Sequence, residues 1–83
     1  MNWPHRCDEA TAERVARSAP WSNGRRPLFW ADVPVRIATT QLHREVTLDR
    51  AHALLSERFG PSRAPSRSAL QRYWTVLDSA TWP

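Results

Sequence analysis

Only one cysteine, Cys7, stands in the chain, so no internal disulfide braces the fold and no thiolate pair is at hand for zinc. Two glycines, Gly24 and Gly60, offer nothing like a glycine-rich phosphate loop. No run approaches the ~20 apolar residues of a membrane-spanning helix. The opening residues, MNWPHRCDEA, lack the apolar stretch of a signal peptide. These absences make a cytoplasmic protein with no membrane association the expectation. Lysine is missing altogether: the 12 basic residues are all arginine.

What is present is arginine in excess. Against 8 acidic residues the formal charge is +4, which favours a polyanionic partner. Arginine carries a planar fork that pairs with phosphate or guanine through two bonds at once. The 83 residues suffice for three or four helices around one core and leave little room for a deep catalytic cleft.

The stretch Thr47 to Asp78, TLDRAHALLSERFGPSRAPSRSALQRYWTVLD, predicts two helices joined by a proline-bearing turn. Thr47 is placed to cap the first, with Leu48, Ala51, His52, Leu55 and Phe59 as its inward stripe. Gly60 and Pro61 stop it. Ser66 caps the second helix after an extended Pro65. There Ala69, Leu70, Tyr73, Trp74 and Leu77 face inward, and Arg67, Ser68, Gln71, Arg72 and Thr75 face outward. Such a pair is a helix-turn-helix whose second helix suits a DNA major groove. From Arg58 to Leu77 there are four arginines and no acid. Ser66, Arg67, Ser68, Gln71 and Arg72 are therefore the candidate DNA contacts, with Arg63, Arg58 and Arg50 as phosphate contacts behind them. The competing reading is an ordinary solvated helix face.

The expected fold is all-α, a small three- to four-helix domain containing this helix-turn-helix. Residues 33–83 form the DNA-binding domain. Residues 1–32 form an arm with a marginal helix and a Trp/Arg-rich linker. Asp8 caps that helix, which runs to about Ala19, is mostly alanine and buries little. In the linker, Leu28, Phe29 and Trp30 cover one end of the core. A second reading places Arg25 and Arg26 in a minor groove, as arms of homeodomains do. Val33 to Val46 carries a helical stripe of Val35, Ala38, Leu42 and Val46, yet Val33, Val35, Ile37 and Thr39 alternate like a strand. Helix is preferred, because a lone strand has no partner here.

PSRSALQRY at 65–73, preceded by TLDRAHALLSERFG, resembles the helix-turn-helix of Mu-like phage DNA-binding proteins, whose segments read like SRSALGRY. It is also similar to the N-terminal helix-turn-helix of DDE-type transposases, with their PS-x-ST-L-x-RY pattern. The likeness covers residues 33–78. The leading LP-x-x-VR of the phage family is matched loosely by Val33-Pro34 and Val35-Arg36. The resemblance implies that Ser66 caps, Leu70 and Tyr73 pack, and Arg67, Ser68 and Arg72 meet double-stranded DNA. It implies a regulator or accessory factor of a phage or mobile element, at work in the host cytoplasm. A DDE catalytic domain is missing from the sequence.

No enzyme, cofactor or metal site is expected. His5 and Cys7 lie close together, but a second cysteine or paired histidine is missing. His43 with Glu45 or Asp49 is a commonplace pairing of surface residues, without a nucleophile. Five tryptophans are many for this length. Trp30 and Trp74 are expected in the core, while Trp3, Trp21 and Trp82 sit in poorly structured segments. The alternative function rests on these three: a protein–protein module, an oligomerising adaptor or a phage-encoded inhibitor of a host protein. A homodimer fits both readings, because helix-turn-helix proteins commonly pair to read two half-sites.

Overall fold

The computed structural model describes residues 3–21 and 26–83. Among the described residues the chain is all-α: four helices, α1 (Glu9–Ser18), α2 (Val33–Gln41), α3 (Leu48–Phe59) and α4 (Arg67–Asp78), with a 3₁₀ turn at Leu28–Ala31. Among the described residues there is no strand.

Three helix starts follow one chemical rule. Asp8, Thr47 and Ser66 each accept a backbone N–H three residues on, from Thr11, Arg50 and Ala69, at 2.7, 3.1 and 3.2 Å. Each bond satisfies one amide that the helix itself cannot. At the end of α3, Gly60 takes φ 86° and ψ 157°, a backbone region that is essentially glycine's alone.

α2 is the hub, packed against α1, α3, α4 and the 3₁₀ turn. Its mixed pattern is explained by that position. Val35, Arg36, Ala38, Thr39, Thr40 and Gln41 are all buried, so no solvent face imposes a clear period. The helix is shorter than the expected Val33 to Val46. Leu42 caps it, and Arg44 takes φ 62°, a left-handed conformation that ends helical propagation.

The core joins all four helices: Val15 and Ala19, Ala38 and Leu42, Ala51, Leu54 and Leu55, then Leu70, Tyr73, Trp74 and Leu77. This corrects two expectations about the first 32 residues. α1 buries Ala12, Val15 and Ala16, because its small alanines let it lie close against α2. Its residues share the single core, so the described part of this stretch is no loose arm. Leu28 is also corrected. In a 3₁₀ turn residues i and i+3 eclipse, so Leu28 shares the outward side with Ala31 and is 100% exposed. Phe29 and Trp30 point in. Phe29 meets the Tyr73 ring edge-on at 5.0 Å, and Trp21 stacks on Tyr73 at 5.1 Å.

Candidate nucleic-acid interface

The outward face of α4 forms as its sequence predicts. Arg67, Ser68, Gln71, Arg72 and Thr75 are exposed, and Leu70, Tyr73, Trp74 and Leu77 are buried opposite them. The mount is stiff. Tyr73 donates its phenol to Thr40, whose own hydroxyl is spent on the Arg36 carbonyl. The Trp74 indole donates to the Thr39 carbonyl at 3.2 Å. Two hydroxyls near this face are already in use: Ser66 caps the helix, and Thr75 donates back to the Gln71 carbonyl at 2.9 Å.

Carboxylates from other helices reach this basic region. Arg63 forms a two-pronged pair with Asp32, both bonds at 2.9 Å. Arg67 pairs with Asp49 at 2.6 Å. The Arg63 hydrogen bond holds the Asp32 carboxyl below its usual range, and Asp32 in turn raises Arg63. Asp32 stands at the N-cap position of α2, where the Val35 N–H contributes only weakly to holding its carboxyl down; the well-formed bonds of its oxygens go to Arg63. Arg72 has no carboxylate partner among the described residues.

The remaining predicted contacts are dispersed. A groove of about 1000 Å³ is bordered by Arg26, Arg63, Ser66 and Arg72, with Phe29 and Tyr73 in its lining. Arg67, Ser68 and Gln71 lie outside that lining. Arg26 is exposed, its guanidinium 4.6 Å from the Trp30 ring centre; Arg25 falls outside the described residues. Arg58 lies over the rings of Trp3 and Phe59, at 4.7 and 5.1 Å. Arg50 is exposed in the first turn of α3.

The three tryptophans expected at a protein interface are half-buried within the molecule. Trp21 donates to the Ala16 carbonyl and Trp82 to the Leu77 carbonyl, both at 2.9 Å. Trp3 lies under Arg58 with its indole N–H buried. Their rings find stacking partners at home, which periodicity along the chain does not reveal.

His43 also departs from its expected place. It is 2% exposed, with neither Glu45 nor Asp49 as partner. Arg6 donates to its Nδ1 at 2.9 Å, so the ring proton sits on Nε2, which donates to Asp78 at 2.7 Å. Trp82 stacks on the ring at 5.1 Å. Burial pushes the His43 pKa down, against the pull of Asp78. Arg44 braces the same carboxylate at 2.6 Å. With both ring nitrogens engaged, His43 has no free lone pair to serve as a general base. His5 Nδ1 lies 2.7 Å from the Trp3 carbonyl. No cluster of three or more metal-ligating side chains occurs among the described residues, and no helix there is long and apolar enough to cross a membrane. Comparison with protein-family models, with curated proteins and with solved structures returns no match.

Proposed function

We propose that the chain binds double-stranded DNA through the outward face of α4, as a small regulator or accessory factor of a phage or mobile element. The observation that supports this most is the composition of that face. Arg67, Ser68, Gln71 and Arg72 stand exposed on a helix whose other side is the centre of the core. Such a helix presents its side chains in fixed register, as groove readout requires. Gln71 offers the two-bond chemistry that adenine takes, and Arg67 and Arg72 that of guanine, each good pair contributing about 1–3 kcal/mol of discrimination. Ser66 acts through its cap. Arg63, Arg58 and Arg50 add phosphate contacts, which bring affinity and no sequence information. The likeness of PSRSALQRY to phage and transposase helix-turn-helix segments supports the mobile-element setting.

The test is the Arg67→Ala, Arg72→Ala double variant, measured by gel shift on duplex DNA beside far-UV circular dichroism. Loss of binding with an unchanged helical spectrum is the expected result. Wild-type affinity in the folded variant overturns the assignment of the face. For the protein-docking alternative, Trp3, Trp21 and Trp82 are half-buried in the molecule's own packing and offer a partner only part of each ring. Among the described residues that alternative retains Leu28 and Val33 as exposed large apolar side chains, which make a small surface for a stable interface.

A further inference from the structure

We infer that Asp32 and Asp49 are internal stand-ins for backbone phosphate, clasping Arg63 and Arg67 until DNA displaces them and so raising the threshold for non-specific binding. The inference rests on the DNA-binding reading and deepens it to how that site is regulated.

Three observations lead here. From residue 58 to residue 77 the chain carries no acid, so any carboxylate on this region is imported. The two that arrive come from separate elements, the start of α2 and the first turn of α3, and each takes a guanidinium near the start of α4. Asp32 does this in preference to its local option. Its position invites it to cap α2, yet the Val35 N–H is only a minor neighbour of its carboxylate, and both oxygens grip a fork 31 residues away.

The chemistry matches as well. A carboxylate gripping both prongs of an arginine offers the same paired-oxygen geometry as a phosphate. Arg63 thereby already holds the two-bond arrangement that a phosphate takes, whereas Asp49 meets Arg67 through a single contact at 2.6 Å. The Arg67–Asp49 pair is solvent-exposed and the Arg63–Asp32 pair partly so, with side-chain exposures of 57% and 77% for Arg67 and Asp49, and 50% and 28% for Arg63 and Asp32. Exposed pairs are weak and yield to competitors. A single stray phosphate has to displace a fixed partner, whereas a duplex supplies several phosphates together and prevails. Arg72, without a carboxylate partner, is available for the first encounter.

The experiment is fluorescence-anisotropy titration of the full chain against a random-sequence duplex at two salt concentrations. The variants are Asp32→Asn, Asp49→Asn, Arg63→Ala, and Arg63→Ala with Asp32→Asn. Glu9→Gln, an exposed acid on α1, controls for the change of one charge. Asp32 stands at the N-cap position of α2 and Asp49 in the first turn of α3, so circular dichroism checks that both variants are folded. Asp32→Asn and Asp49→Asn are each expected to tighten binding roughly two- to fivefold beyond Glu9→Gln. In the Arg63→Ala background the Asp32→Asn gain is expected to shrink below about 1.5-fold, the signature of direct coupling. Gains no larger than the control, or gains that persist without Arg63, overturn the inference and leave DNA binding standing. Absence of salt-dependent binding in every protein, wild type included, overturns both.

Discussion

Lowering the pH from 7.5 toward 5 should destabilise this protein through a single buried ring. His43 stacks on Trp82 and packs perpendicular to Trp74, with Arg6 donating to Nδ1 and Nε2–H donating to Asp78. Protonation places a second hydrogen on Nδ1, facing the Arg6 guanidinium, and adds charge beside Arg44. Asp78 favours the charged ring, but burial outweighs it and lowers the pKa below the ordinary 6.5. The unfolded chain therefore binds more protons than the folded one in the window below 6.5. Stability is fully present above that value and declines as pH falls toward the folded pKa. One proton limits the slope to about 1.4 kcal/mol per pH unit. The carboxylates act in a separate, more acidic window. Asp8, Asp32 and Asp78 are held below 3.8 by Thr11, Arg63 and Arg44 respectively, so their contribution is lost only in stronger acid. Urea unfolding followed by circular dichroism at half-unit steps from pH 5 to 7.5 measures the slope. The His43→Gln variant, expected to lose about 1–2 kcal/mol at neutral pH through its broken bonds, isolates this ring from His5 and His52. An identical slope in wild type and variant refutes the argument.

Three substitutions probe the scaffold beneath α4. Leu55→Ala empties a fully buried site and should cost about 2–5 kcal/mol in chemical denaturation. Tyr73→Phe removes the 2.7 Å bond to Thr40 while preserving the ring stack. It should cost about 1 kcal/mol, a fall in Tm of about 4–8 °C by calorimetry. Gly60→Ala meets no atom within 4 Å, yet φ 86° with ψ 157° is strained for any side chain, so about 1–3 kcal/mol of lost stability is expected from backbone strain alone.

Much of the helical framework was legible because its signals are local. Asp8, Thr47 and Ser66 as caps, and Gly60 as a stop, act within a turn of themselves, and each did so. The inward residues of α4 were legible for the same reason, since one side of that helix meets water. α2 was harder. Burial around most of its surface erased the period, and the positive φ at Arg44 that ends it leaves no mark on hydrophobic spacing. Leu54 was missed although its i+3 spacing from Ala51 puts it on the buried side of α3 with Leu55. Convergence over distance was invisible. Residues 6, 43, 78 and 82 meet around one imidazole, and two acids from α2 and α3 reach a stretch that looked purely basic. Both arise from how helices pack, which no window along the chain contains.

The salt dependence of wild-type binding to duplex DNA tests the central claim most directly. With Arg63, Arg67 and Arg72 each neutralising a phosphate, log K should fall against log salt with a slope of about −3 or steeper. Undetectable binding at low salt, or a slope near zero, would contradict the assignment of α4 to a DNA groove.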